Sequence, residues 1–495
     1  MNGKRYSDRF RRYREEFQED HRVTPGRRSA RIPVVLPCGR SCAALQKAVQ
    51  VFLLLILSLP LTLLQPQLQP ALAQMPPEVP EIDTGTRSAI IDSITTALNE
   101  VYVFPEKAVA MEEHVRALLA EGAYNEITSP AEYAQRLTED LRSICQDRHL
   151  RVGAEPPRSP EEVDETDEQR RARYREQGRR SNYQFEKVEI LPGNIGYLRF
   201  NAFMGAEIAG ATAVAALNFL ANADALIIDL RGNGGGSPSL IQLMTSYFLE
   251  ESTHLNSFYI RKNDETKQFW TQAHVQGPKL VDVPIYVLTS QYTFSGAEEF
   301  TYNLKNLERA TIIGETTGGG AHPVEGHWFD FGEFIITMSL PFGRAINPIT
   351  GTNWEGTGVD PHIPVPAEDA LMIAQIEALK KLQEGATDED VARQIAWVLG
   401  GLEVQLNPVT VSEAELMQYV GTYGPRRIWH EGNSLWYQRE DRPRYPIVPM
   451  GNDTFLLSGL DYFRIRFERD DNGKVVKLVG MYDNGFQDEH DRSEG

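Results

Sequence analysis

The sequence predicts an α/β protein with a largely parallel sheet, and three observations lead to this prediction. Between residues 195 and 314, apolar strand-like runs alternate with helical patterns, which is typical of βαβ units. Ahead of them, residues 86–152 carry apolar side chains at helical spacing and indicate an N-terminal helical module. After Asn407 the chain changes to short strands and turns, so we expect a small all-β domain over residues 409–495.

The segments between these landmarks complete the predicted order. A charged stretch over residues 153–185 is interpreted as a linker or a solvated helix, and residues 366–404 as a helical connection. The α/β core then spans residues 186–365. Its predicted strands and helices are strand 195–200, helix 206–221, strand 225–230, helix 240–249, strand 284–289, a helix from 295, strand 310–314 and strand 334–340.

The first 73 residues are interpreted as a leader. The apolar run at residues 48–64 and the following Ala71-Leu72-Ala73 have the pattern of a signal-peptide core with a small-x-small cleavage site. Pro60 interrupts the run, which is short for a membrane span, so cleavage is favoured over a permanent anchor. We expect an exported protein, periplasmic or extracellular, that associates with the membrane through residues 48–64 if the leader is not cleaved.

The charge balance excludes one class of partner. The formal net charge is -19, and the leader holds 12 of the 50 Lys and Arg residues but only 5 of the 69 Asp and Glu residues. The chain beyond the leader is therefore more acidic still. Binding to phosphate backbones relies on clustered cations, so nucleic acid is not expected as a partner.

Ser295 is the first candidate for chemistry, since it lies where the apolar strand at 284–289 gives way to a helix. A hydroxyl at such a turn lies beside free backbone N–H groups, as acyl transfer requires. The same letters also predict a capping box, in which Ser295 and Glu298 each bond the other's backbone N–H. Taken alone, the motif favours the cap.

A glycine-rich loop is the second candidate, in Asp229-Leu230-Arg231-Gly232-Asn233-Gly234-Gly235-Gly236 after a buried strand. Such a loop brings bare N–H groups close to a ligand. It lacks the Gly-Lys-Ser/Thr of a phosphate loop and the distal acid of a dinucleotide site. An oxyanion hole fits better, and we expect the N–H groups of Gly235 and Gly296 to form it.

These motifs, together with Gly314-Glu315-Thr316-Thr317-Gly318-Gly319-Gly320, resemble the C-terminal processing, or tail-specific, serine proteases, peptidase family S41, in order and spacing. The resemblance covers roughly residues 86–365. It implies a crotonase-like (ClpP/crotonase) core and a serine endopeptidase acting on unfolded or C-terminal polypeptide segments. The PDZ domain usual in the best-known branch is missing here.

The resemblance departs from that branch at the general base. The lysine that activates its serine is replaced by Gly320, and no lysine lies between Lys305 and Lys380. A second branch, similar to interphotoreceptor retinoid-binding protein and the tricorn core, uses serine, histidine and glutamate. That branch matches His149, in Asp147-Arg148-His149-Leu150, as the base and Glu355 as the acid that orients it. Where that branch has an extra serine before the histidine, this chain has Arg148.

Two further histidines follow the glycine run. His322 and His327 are candidates for metal ligands, for an alternative base, or for loop residues of the substrate groove. Their spacing lacks the helical geometry of a zinc protease, so we expect His322 to line the groove with Gly319 and Gly320, and expect neither metal nor cofactor. The alternative for the whole chain is a catalytically silent protein that binds apolar ligands or peptides on the same fold.

Overall fold

The computed structural model describes residues 81–158, 165–432 and 434–493. The predicted leader, and part of the charged segment after residue 158, lie outside the described residues. Within them, no helix is long and apolar enough to cross a membrane.

The N-terminal module consists of three helices, as the sequence predicts: α1 (Thr84–Val101), α2 (Pro105–Ala120) and α3 (Pro130–Cys145). The start of α3 follows its sequence signal, because Ser129 caps the Glu132 N–H and Pro130 occupies the first turn. The helix ends at Gln146 in a left-handed conformation, φ 56°. This turn directs the chain into Asp147–His149.

The charged segment after α3, predicted as a linker or a solvated helix, contains a helix. The strand β1 (Arg151–Glu155) follows α3. The basic half of the charged stretch forms the helix α4 (Asp167–Arg180), whose one buried residue is Gly178. The strand β1 pairs with β10 (Ile335–Pro341), which in turn pairs with β9 (Val324–Asp330). The helical module therefore packs against a small sheet built from residues far along the chain.

The α/β core contains a six-stranded sheet in the order β12-β8-β7-β4-β3-β2, parallel except for β2. Helices cover both faces of this sheet. Its central strands are therefore buried along their whole length, and their sequences are continuous apolar runs. A separate antiparallel sheet joins β11, β5 and β6. The core elements are β2 (Phe185–Leu191), β3 (Ile195–Phe200), α5 (Ala206–Phe219), β4 (Ala225–Asp229), α6 (Pro238–Thr245), β5 (His254–Ile260), β6 (Glu265–Trp270), β7 (Ile285–Thr289), α7 (Gly296–Asn306), β8 (Ala310–Gly314), β11 (Gly343–Ile346), β12 (Ile363–Pro364), α8 (Ala370–Gly385) and α9 (Glu389–Leu406).

The C-terminal domain is all-β, as predicted. After a short helix α10 (Glu413–Leu416), eight antiparallel strands follow one another in chain order around an apolar interior. A bridge between Tyr423 and Arg492 brings the first and last strands together, so the sheet is nearly closed into a barrel. The strands are β13 (Gly421–Tyr423), β14 (Arg426–Glu431), β15 (Ser434–Arg439), β16 (Tyr445–Gly451), β17 (Thr454–Leu457), β18 (Leu460–Arg469), β19 (Val475–Tyr482) and β20 (Gln487–Asp491).

Candidate active site

The carboxyl ends of neighbouring parallel strands bring the predicted motifs together. The strand β4 leads into the glycine-rich loop at 230–236, β7 into residues 290–295, and β8 into residues 315–322. Because these strands are adjacent and parallel, the three loops leave the sheet at the same edge. The sequence motifs that lie far apart in the chain are thus neighbours in space.

Ser295 has a strained backbone at the N-terminus of α7. Its φ of 54° and ψ of -122° lie outside the regions that side chains with a Cβ normally adopt. Its N–H donates a 2.8 Å hydrogen bond to Glu298 Oε2, the carboxylate half of the predicted capping box. An ordinary cap has an extended backbone, so the conformation of Ser295 is closer to the sharp strand-to-helix turn of a nucleophile.

Glu298 is a fully buried carboxylate that collects four donors. Its Oε1 accepts from the Thr317 hydroxyl and the Gly319 N–H, and its Oε2 from the N–H groups of Ser295 and Gly320. Burial raises its pKa, and these hydrogen bonds oppose the rise. Glu298 therefore fixes the position of Ser295 relative to the second glycine loop, a role larger than that of a helix cap.

The first glycine loop lies directly against Ser295. A Cβ on Gly235 would lie 2.5 Å from the Gly296 nitrogen and 2.8 Å from Ser295 Cβ, so no side chain fits there. The N–H of Gly235, predicted as an oxyanion donor, instead donates to Asn233 Oδ1 at 2.9 Å. In the described part of the chain, the N–H groups of Gly236 and Gly296 have no acceptor. A Cβ on Gly296 would lie 2.8 Å from the Gly236 nitrogen, so the two groups are neighbours.

His149 lies beside the residue that precedes the serine. Its ring packs on Phe294 with centroids 4.6 Å apart, and a Cβ on Gly320 would lie 2.6 Å from its Cε1. The absence of a side chain at Gly320, the position of the missing lysine, therefore makes room for the imidazole. Burial lowers the pKa of His149 to about 4, so the ring is neutral at pH 7.

Asp147 contacts the backbone of His149 and the ring of His322. Its Oδ1 accepts the His149 backbone N–H at 3.0 Å, and its Oδ2 lies 2.7 Å from His322 Nδ1 and 3.2 Å from the Tyr102 hydroxyl. Burial alone would raise the pKa of Asp147, but its contacts with His322 and with the His149 N–H lower it. Burial likewise opposes a raised pKa at His322, and the Asp147 carboxylate outweighs it. Asp147 and His322 therefore each favour the charged form of the other.

Glu355 lies on the other side of the same cluster. Its Oε2 accepts the Ala321 N–H at 2.6 Å and is 3.5 Å from His322 Nδ1. Burial, followed by the negative charge of Asp147, raises its pKa. Among the described residues, no hydrogen bond joins His149 to Ser295 or to Glu355. Instead, His149 Nδ1 and Glu355 Oε1 are both buried without a hydrogen-bond partner in the part of the chain that the structure describes.

The structure brings together most of the predicted site residues. Ser295, Gly296 and Gly235 are in contact, and Gly319 and Gly320 join them through Glu298. His322, predicted as a groove residue, is 5% exposed and its ring faces Asp147. His327 lies on the exposed strand β9 and pairs with Glu325 at 2.9 Å.

Two residues of the site, Asp147 and Glu298, were not assigned these roles from sequence. Each had a visible signal, since Asp147 lies two residues before His149 and Glu298 lies three residues after Ser295. The spacing alone does not reveal that each carboxylate gathers donors from other parts of the chain.

Comparison with known proteins gives two family matches. Residues 194–365 match the model of peptidase family S41, and residues 83–188 match the N-terminal domain of peptidase S41 in eukaryotic IRBP. The matched segments are thus those of a serine-type peptidase. The chain belongs to peptidase family S41.

Individual relatives are distant. A carboxy-terminal processing protease of Bacillus subtilis is 22% identical over 177 residues, which cover 34% of this chain and 33% of that protein. The chain thus spans a third of the curated relative that it matches.

Solved structures with a similar fold are also distant. A lipoprotein from Streptococcus agalactiae is 14% identical and covers 62% of this chain and 100% of that one, with a TM-score of 0.40. The photosystem II D1 C-terminal processing protease is 15% identical over 57% of this chain and 94% of that one, with a TM-score of 0.36. The tricorn protease is 13% identical over 65% and 37%, with a TM-score of 0.37.

Proposed function

We propose that the protein is an exported serine endopeptidase that hydrolyses peptide bonds in unfolded or C-terminal segments of polypeptides. The observation that carries this proposal is the strained backbone of Ser295, packed against two glycine-rich loops. Strain of this kind persists where the surroundings enforce it, and it is common at catalytic residues. A serine that only caps a helix has no need of it.

Ser295 Oγ attacks the carbonyl carbon of the scissile peptide bond, and His149 takes the hydroxyl proton. The histidine then gives that proton to the leaving amine, and water releases the acyl group from Ser295 by the reverse steps. The lowered pKa of His149 keeps the imidazole neutral and able to accept a proton at pH 7.

Glu355 orients His149 in this proposal. The two buried atoms without partners are complementary, since Nδ1–H is a donor and the carboxylate Oε1 is an acceptor. Leaving both unpaired costs about 1–3 kcal/mol each, so a rearrangement that joins them is favourable. Catalytic hydrogen bonds are often long in the absence of substrate. Once formed, this bond fixes the tautomer in which Nε2 faces the serine.

The oxyanion is held by two backbone donors, Gly296 and Gly236. Gly236 replaces the predicted Gly235, because the N–H of Gly235 is already bonded to Asn233. Each donor of this type contributes about 3 kcal/mol to lowering the barrier.

The location is part of the proposal. Export to the periplasm or the cell exterior rests on the apolar run at 48–64 and on Ala71-Leu72-Ala73, which lie outside the described residues. Sequencing the N-terminus of the protein recovered from the producing cell's exterior fractions tests it. A mature chain that begins near residue 74 is expected, and an intact leader in a cytoplasmic fraction contradicts it.

Turnover of an unstructured peptide and labelling by a fluorophosphonate test the mechanism. The wild-type protein should cleave the peptide and label at Ser295, and Ser295→Ala should lose both while keeping its circular dichroism spectrum. Ser143→Ala, on the exposed face of α3, is the matched control and should keep both. Turnover that survives in Ser295→Ala overturns the assignment. A folded wild-type protein that neither labels nor cleaves supports the silent binding protein instead.

A further inference from the structure

Three side chains with metal-binding chemistry meet behind the proposed base. Asp147, His322 and Glu355 each offer one ligand atom, and the three atoms lie within 4.8 Å of one another. His322 Nδ1 is the central atom, 2.7 Å from Asp147 Oδ2 and 3.5 Å from Glu355 Oε2. The three residues come from three separate segments of the chain, so no local spacing pattern predicts them.

The carboxylate oxygens of the cluster can accept more hydrogen bonds than the surrounding groups donate. Two carboxylates share one imidazole, and Glu355 Oε1 is buried without a hydrogen-bond partner among residues 81–158, 165–432 and 434–493. A buried charge that lacks a partner is costly. A divalent cation would neutralise both carboxylates at once, which a single imidazolium cannot do.

A cavity of about 500 Å³ gives access to the cluster. His322 and Glu355 line it, together with polar groups from Thr352 and Asn353. It therefore offers an entry path and space for the water molecules that complete a coordination shell. Among the described residues that line this cavity, neither Ser295 nor His149 is present, so access to the cluster does not pass over the serine.

The two cations that line the same cavity are engaged elsewhere. Lys107 Nζ donates to the Ile144 carbonyl at 3.2 Å, and the Arg344 guanidinium lies over the Tyr259 ring, 5.2 Å from its centroid. Neither forms an ion pair with a carboxylate of the cluster within the described residues. A small inorganic cation is therefore better suited to the cluster than a protein side chain.

We propose that Asp147, His322 and Glu355 form an inhibitory site for a divalent transition metal such as Zn²⁺. One imidazole nitrogen and two carboxylate oxygens are ligands that Zn²⁺ accepts, with water from the cavity in the fourth position. The metal takes the place of the hydrogen that lies between His322 Nδ1 and Asp147, and that proton leaves to solvent.

The inhibition rests on the proposed function, in which Glu355 orients His149. Metal binding holds the Glu355 carboxylate on the cavity side and also engages Asp147, which accepts the His149 N–H. The base then loses its orienting acid. The metal is thus a regulator of the site and takes no part in the reaction.

Zn²⁺ binding is measured by calorimetry on Ser295→Ala protein, which has no activity of its own to degrade the sample. One equivalent should bind, and His322→Asn or Glu355→Gln in the same background should weaken binding at least tenfold. His327→Asn is the matched control, because its ring pairs with one carboxylate on an exposed strand and lacks a third ligand. It should bind Zn²⁺ like the parent protein.

The remaining outcomes separate the two proposals. Co²⁺ should give visible absorption bands typical of nitrogen and oxygen ligands in the parent protein, which tests the site without a ligand substitution. Absence of these bands, or equal Zn²⁺ affinity in the parent, His322→Asn and Glu355→Gln, overturns the metal site.

In wild-type protein, Zn²⁺ should suppress fluorophosphonate labelling with a midpoint at the measured Kd, and labelling unaffected at saturation overturns the inhibition. Binding in a protein that never cleaves peptide overturns the proposed function alone.

Discussion

Replacing Glu298 by Gln tests whether one buried carboxylate holds the active-site loops together. The carboxylate accepts from Ser295, Thr317, Gly319 and Gly320, two donors on each oxygen. The glutamine side chain has almost the same shape, but its amide nitrogen cannot accept and faces two donors. Each buried donor left without an acceptor costs about 1–3 kcal/mol. Removing the buried charge recovers part of this cost. We therefore expect the unfolding free energy to fall by about 3 kcal/mol.

The loss is expected to be local as well as global. Hydrogen exchange followed by mass spectrometry should show faster exchange over residues 315–322, because either oxygen that the amide replaces accepts one backbone N–H of that loop, from Gly319 or Gly320. Urea denaturation at pH 7.5 gives the change in unfolding free energy. Peptide turnover should fall as well, since the Glu298 carboxylate links Ser295 to that loop.

Glu315→Gln is the matched control for Glu298→Gln. Glu315 follows the strand β8 and is partly exposed. Its carboxylate accepts one N–H, that of Gln291, at 3.1 Å. Its replacement should change stability by less than about 0.5 kcal/mol. If the two variants lose the same stability, or if the 315–322 segment of Glu298→Gln keeps its protection, the reasoning about the four donors is wrong.

Three more predictions follow from burial and close packing. Burial raises the pKa of Glu299 to about 7, above its unfolded value, so stability falls as pH rises from about 4.5 to 7; Glu299→Gln should gain about 3 kcal/mol at pH 8 and much less at pH 5 by urea denaturation, and an equal gain at both pH values contradicts it. The pKa of about 4 at His149 predicts that kcat/KM is lost as pH falls through about 4, and an acid limb near 6.5 refutes the effect of burial. Gly235→Ala should abolish activity because its Cβ meets the Gly296 nitrogen, whereas Gly234→Ala has open space; equal activities would show that the loops do not pack as described.

The sequence is sufficient to predict the location of the site because parallel strands determine it. Once alternation indicates βαβ units, the carboxyl ends of β4, β7 and β8 must lie at one edge, and the motifs at Gly235, Ser295 and Gly320 follow those ends. The helix start at Ser295 is equally local, since cap and partner lie three residues apart. These inferences need only chain order and backbone geometry.

The contacts inside the site are not predictable in this way. The hydrogen bond between Asp147 and His322 joins residues 175 positions apart, whose segments meet through long-range contacts such as the pairing of β1 with β10. The bond from the Gly235 N–H to Asn233 depends on one side-chain rotamer. The same limit applies to His322, whose position after a glycine run suggests a loop, while its burial depends on the helical module.

The near closure of the C-terminal barrel has a consequence for how that domain opens. Every other strand pair in it joins neighbours in the chain, so each hairpin forms over a short loop. The bridge between Tyr423 and Arg492 instead joins the two ends of the domain, and the buried Arg426 of β14 pairs with Asp488 of β20 beside it. Closing this seam joins residues about 70 positions apart, so we expect it to form after the hairpins. Opening the barrel along the seam therefore breaks a buried ion pair as well as the backbone bridge before the apolar interior is exposed.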